Sequence, residues 1–508
     1  MATEYIHISS KIHSWVKKEL IQKKFLSPWG VIFLILMSVA GGFLAANDLF
    51  FVPIALGILL VGIGIIYYCL FKPLIGFYII IFAGFFIFYP NHLLGKEILP
   101  LSTGLEILIL FLFLGTFIST KSGDLNPSGG LLKTFVSITF LILTLYIAVQ
   151  AFNPNVRGYA SWFPVFKRSI VFVLIYIAAY RIIDTTEKFR FFSRFWIVLS
   201  LVTAVYGCFQ QWFGYLPMEM NYILSTPGGL DLLFQGGQLR KFSILSDVVS
   251  FGVLCASMAL FTLIIAINEK EKWRKYRLFL FSVIMLLGMA YSGTRTATII
   301  LPAGFILYGL ITIQNKTTLV ALFVSVLVFM AVMFAPIYSN PSLNRVRSTF
   351  DSKDASLNVR DKNRHYIQPY LHSHPIGGGI GTSNFAGYYN HPYHPLAGFA
   401  TDSAFLKVGL EYGWIGLIFM MLFNLAILYQ GIYYYFKIRD DELRLYVVAI
   451  VCTLFPLIVT QYAQETVGQF PAGIFFFSSL SLMKRLLEFD QRKNLVRSAG
   501  DDKLMTSL

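Results

Sequence analysis

Charge is scarce in this chain. Only 13% of its 508 residues are Asp, Glu, Lys or Arg, about half the share of a soluble domain, while 56% are apolar. A soluble globule is thereby excluded. Cysteine is nearly missing: Cys69, Cys208, Cys255 and Cys452 each stand alone in an apolar run, which excludes a disulfide framework or a paired-thiolate metal centre. There is no internal repeat and no low-complexity tract, and the loops are too short for a second domain. Acidic residues number 26 against 41 Lys and Arg. Nucleic acid would suit that balance, but apolar runs of about twenty residues make membrane topology its better account, and no nucleic-acid partner is expected. The first 24 residues are too polar and too long for the n-region of a cleavable signal.

What is present is a series of spanning runs. About fourteen segments reach the length a helix needs to cross a bilayer: 29–47, 49–71, 73–90, 101–119, 131–150, 165–183, 194–213, 245–267, 276–291, 296–313, 318–337, 402–430, 443–462 and 470–487. Short or closely joined runs leave a range of 12–14. The expected fold class is an all-α polytopic membrane protein. Its parts are an amphipathic or frayed cytoplasmic leader 1–28, transmembrane helices over 29–337, a large external loop 338–401, C-terminal transmembrane helices over 402–487 and a charged tail 488–508. Orientation follows the basic residues: with the N-terminus inside, the inward segments hold about 27 of the 41 Lys and Arg.

The long loop is unlike the rest. It holds five of the eight histidines (His365, His372, His374, His391, His394), six basic residues and the cluster Gly377-Gly378-Gly379-Ile380-Gly381. Ionisable residues within or beside spans (Glu106, Lys167, Arg168, Asp247, Arg295, Asp402, Lys407, Glu411, Glu465) all fall at the outward ends in this topology. Such residues are costly in lipid and mark function, so their one-sidedness points to a polar site open to the exterior. Lys407 and Glu411, four apart on one helix, are also placed to neutralise each other.

Three motifs carry a family resemblance: Tyr291-Ser292-Gly293-Thr294-Arg295-Thr296-Ala297 between two spans; Arg360 through Gly381, ending His374-Pro375-Ile376-Gly377-Gly378-Gly379-Ile380-Gly381; and Asp402 to Gly416, with Glu411-Tyr412-Gly413-Trp414-Ile415-Gly416. Together they resemble the O-antigen ligase and O-antigen polymerase superfamily of bacterial inner-membrane glycosyltransferases. The resemblance implies a GT-C-like helical enzyme at the outer leaflet of the inner membrane. Its donor is an undecaprenyl-diphosphate-linked glycan, its acceptor lipid A core or another lipid-linked glycan, and it needs no cofactor. One departure stands out: the family's common histidine falls on Asp402 and its asparagine on Ser403, which leans slightly towards polymerase over ligase. A transporter or flippase for a lipid-linked glycan is the rival, but transporters favour midplane charges and inverted repeats.

The residues support that chemistry on their own terms. A departing diphosphate needs its growing charge balanced, and arginine pairs bidentately with phosphate oxygens while staying protonated. Arg295, Arg360 and Arg364 are the catalytic candidates, with Arg240 binding substrate. The attacking hydroxyl needs a positioned acceptor. Asp402 is the first choice, although a plain helix N-cap explains it equally well, and His374, His391 and His394 stand in reserve. Gly379 and Gly381 would let the loop approach a phosphate or simply make a tight turn. Glu411 joins the substrate-binding set. His372/His374 and His391/His394 have metal-like spacing but no acidic or thiol partner, and no metal is expected.

Overall fold

The computed structural model describes residues 51–95, 101–118, 129–226, 228–235, 237–334, 355–401 and 403–505, with isolated positions between 27 and 38 and at 344 and 347. Most of the leader, most of the expected first span 29–47, most of 335–354 and Asp402 lie outside the described residues.

Almost everything described is helical. In order the principal helices are α1 (Phe51–Phe71), α2 (Pro73–Phe86), α3 (Leu101–Ile118), α4 (Phe135–Val149), α5 (Trp162–Ile182), α6 (Thr186–Phe213), α7 (Pro217–Ser225) and α8 (Val248–Asn268). Then come α9 (Lys272–Ser292), α10 (Ile300–Ile311), α11 (Lys316–Phe334), α12 (Ala355–Ser373), α13 (Ala404–Glu411), α14 (Gly413–Lys437), α15 (Asp441–Thr460) and α16 (Ala472–Met505). One two-stranded antiparallel ribbon, β1 (Phe234–Gln235) with β2 (Gln238–Leu239), pairs Phe234 with Leu239.

Among the described residues nine helices are long and apolar enough to cross a membrane, and Leu60–Phe71 and Arg295–Ile311 are shorter apolar helices. The protein is an all-α polytopic membrane protein. Its centre is α8, apolar on every side and buried along nearly its whole length, as a helix without a polar face must be. Small residues let its neighbours approach: the ring of Phe251 fills the space a side chain at Gly207 of α6 would need, and Leu260 does the same at Gly304 of α10. Such close approach is how helices pack in lipid, where no hydrophobic gain draws them together.

Two expected spans look different in the structure. The run 402–430 is two helices, because Gly413 adopts a left-handed conformation (φ +74°) and breaks the chain between α13 and α14. The run 470–487 belongs to a 34-residue helix, α16, that carries Lys484, Arg485 and Glu488 and continues to Met505. Arg485 is buried there, donating to the Tyr180 carbonyl (2.7 Å) and to Glu488 (2.9 Å).

Candidate active site

The break at Gly413 admits the glycine loop. Ile415 N donates to the Pro375 carbonyl (3.3 Å), Gly378 N to Leu410 O (2.8 Å) and Gly379 N to Glu411 O (3.0 Å). The Glu411 carboxylate, 1% exposed, reaches into the loop itself. One oxygen accepts from Gly381 N (2.9 Å), and the other from Ser383 N (3.3 Å) and the Ser383 hydroxyl. A buried carboxylate requires this many donors. At Gly379 (φ +99°) any side chain would run into Val156. The N–H groups of Gly378, Gly379 and Gly381 are therefore all engaged by α13.

A second segment closes over the loop from the α4–α5 connection. Gln150 and Asn153 donate to the Ile376 carbonyl (3.0 and 3.1 Å), and Asn155 donates to Gly377 O (2.8 Å). Ser161 hydrogen-bonds His391 Nε2 at 3.0 Å. His374 stacks on Tyr370 with ring centroids 3.9 Å apart, and its Nδ1 faces the Tyr370 carbonyl at 3.0 Å. His394 Nδ1 accepts from Leu396 N (3.1 Å). Burial, with a smaller push from His391, holds His394 below the ordinary histidine pKa, against the backbone carbonyls of Asn155 and Gly378. His374 and His391 thus lie close enough to His394 for their charges to act on it.

The cations converge elsewhere on the same end of the bundle, around the turn 461–470 between α15 and α16. Arg364, on α12, donates to the Tyr462 hydroxyl and carbonyl, with its guanidinium 4.1 Å from that ring's centroid. Lys407 of α13 pairs directly with Glu465 at 2.9 Å and also feels the charge of Glu411, whose carboxylate is hydrogen-bonded to the glycine loop. Thr296, next to Arg295, donates to Gln464 (3.0 Å), and Ser250 at the start of α8 donates to Gln469. Asp247 caps α8, accepting from Val249 N and Ser250 N (2.8 and 2.9 Å). Arg168 lies over Phe470, while Glu106, 4% exposed, takes Lys167 at 2.7 Å and Arg168 at 3.5 Å.

Arg240 serves the turn that carries Arg295. Its Nε donates to Ser292 O (2.9 Å) and its Nη2 to Thr294 Oγ1 (3.1 Å), while Lys241 N donates to Tyr291 O (3.1 Å). Thr294 in turn donates to Val248 O (2.8 Å). Arg295 is thereby placed at the head of a short helix, Arg295–Thr298. Among the described residues this end brings together Lys167, Arg168, Arg240, Lys241, Arg295, Arg364 and Lys407 with Glu106, Glu219, Asp247, Glu411 and Glu465. Arg360 falls on α12 one turn before Arg364, its side chain lying outside the described part, and Asp402 lies outside the described residues.

Sequence reading missed the hub itself. Tyr462, Gln464 and Gln469 bear no charge and match no motif, and Gln150, Asn153 and Asn155 lie in a loop with no periodicity. Polar residues packed between two apolar spans were the only signal they offered.

Residues 280–421 match a family model described as O-antigen ligase, a stretch that takes in the Arg295 turn, α12, the glycine loop and the break at Gly413. No curated protein matches the chain. The match supports a part in assembling O-antigen or a related polysaccharide by a multi-pass membrane protein. Over residues 280–421 the chain is similar to the O-antigen ligase family.

Proposed function

We propose that the protein is a glycosyltransferase that moves a glycan from a polyprenyl diphosphate donor to a hydroxyl of a second glycan, with the glycine-loop end of the bundle facing the cell exterior. The observation that carries this reading is that Arg364 and the turn bearing Arg295, both within the matched stretch, are anchored side by side on the 461–470 turn.

In the reaction the acceptor oxygen bonds to the anomeric carbon of the donor glycan. The bond from that carbon to the diphosphate oxygen breaks, and its electron pair leaves with the diphosphate. Arg295, Arg364 and, from its place on α12, Arg360 balance the charge that develops there, more in the transition state than in the ground state. Arg240 positions Arg295. The proton of the attacking hydroxyl passes to Asp402 or to the histidine group. Glu411, Gly379 and Gly381 shape the loop that carries these histidines.

Within this class we favour polymerase over ligase, because Asp402 stands where a histidine is usual. A deletion strain separates the two by what it accumulates. Polymerase loss leaves surface glycans of a single repeat, the outcome expected here. Long chains left on the lipid carrier would instead identify a ligase, and repeat units trapped on the inner leaflet would overturn the transferase reading.

A further inference from the structure

The far end of the bundle holds a cavity of about 760 Å³ that the transfer reaction does not use. It lies where α8 ends at Asn268, a helix length of about 30 Å from Asp247. The head of α6, the α8–α9 turn, the end of α10 and the head of α15 enclose it.

Its charges are arranged for an anion. Each lining carboxylate is already tied to an arginine: Glu442 receives both Nε and Nη2 of Arg190 at 2.6 Å, Glu269 pairs with Arg274 at 2.9 Å, and Asp441 with Arg444 at 2.6 Å. Arg194 and Lys270 also line the cavity and have no carboxylate partner among the described residues. The three ion pairs line the walls, and Arg194 and Lys270, both exposed, leave two cations that an anion from outside the chain can reach. Tyr308, Tyr435 and Tyr446 add flat ring surface. The volume falls in the range of pockets that take small organic molecules, about 300–1,000 Å³, and exceeds the needs of a simple inorganic ion.

We propose that this cavity binds a phosphate-bearing organic anion, held by Arg194 and Lys270, at a site separate from the glycan-transfer centre. On the topology proposed above it opens to the cell interior, where both soluble phosphate esters and anionic phospholipid headgroups are at hand.

The test is calorimetric titration of the full-length protein with pyrophosphate, in nanodiscs of phosphatidylcholine alone and of phosphatidylcholine with phosphatidylglycerol. Because pyrophosphate also probes the transfer centre, Arg295→Ala is titrated in parallel. In phosphatidylcholine the Arg194→Ala/Lys270→Ala variant is expected to lose one binding event, weakened at least about tenfold, which Arg295→Ala retains and which Arg194→Lys/Lys270→Arg restores. Phosphatidylglycerol suppressing that event identifies a lipid headgroup as the source, and its persistence identifies a soluble ester. Binding unchanged by the double Ala variant, or a single event lost only in Arg295→Ala, would overturn the proposal while leaving the transfer reading intact. A protein lacking the Arg295-dependent event but keeping the other would do the reverse.

Discussion

Glu411 is the residue on which the local structure turns. Its two oxygens accept from opposite sides of the loop, one from Gly381 and the other from Ser383. Glutamine there presents one oxygen and one NH2 group, so one side of the loop would face a donor. Glu411→Gln is expected to cost about 1–3 kcal/mol, read as a lower thermal midpoint in detergent. His394 ties the same loop to pH. Its folded pKa is lowered, so the unfolded chain binds a proton more readily between the two values. The stability this gives is present above the ordinary value near 6.5 and is lost as pH falls through the lower folded one. Thermal midpoints measured from pH 7.5 to 5 should therefore fall more steeply in the wild type than in His394→Gln.

At the scale of elements, the 461–470 turn gathers helices that are distant in sequence. Arg364 anchors α12 to it through both the ring and the hydroxyl of Tyr462. An exposed cation–ring contact is worth about 0.5–1 kcal/mol, so Tyr462→Phe keeps the ring and the carbonyl contact while Tyr462→Ala keeps the carbonyl contact alone. In a transfer assay we expect Tyr462→Phe to retain most activity and Tyr462→Ala to fall roughly tenfold, tracking the position of Arg364. Equal losses in the two variants would assign the hydroxyl, rather than the ring, the leading part. The Lys407–Glu465 pair in the same turn is 29% and 52% exposed, and pairs so open to solvent contribute about 0–1 kcal/mol. Its value lies in placement. None of this hub was readable from motifs, since Tyr462 and Gln464 act through contacts made across more than fifty residues of chain. The α13–α14 break was also hidden: Glu-Tyr-Gly in an apolar run reads as continuous helix until the Pro375 carbonyl is seen lying against Gly413.

Over the whole molecule, apolar run length predicted most of what forms, because a span declares itself through some twenty consecutive side chains. The helices from α2 to α6, together with α8 and α9, lie close to where those runs fall, whereas α7 forms in the expected loop 214–244. The convergence of ionisable residues at one end was legible too, as Glu106, Asp247, Arg295, Lys407 and Glu465 meet through contacts around one turn. Their pairing was legible only in part, because helical spacing brings Lys407 near Glu411 while tertiary packing adds its direct ion pair with Glu465. The same packing leaves the two ends of α8 with different tasks: one lies among the cations of the proposed transfer centre and the other at the 760 Å³ cavity. The central claim concerns the first of these, that fixed guanidinium groups carry the charge of a departing lipid diphosphate. It is tested most directly by the single-turnover transfer rate in proteoliposomes supplied with purified lipid-linked glycan, comparing wild type with Arg295→Ala. The account predicts a fall of about 10²–10³ in a variant whose thermal midpoint is unchanged, and a transfer rate equal to that of the wild type would contradict it.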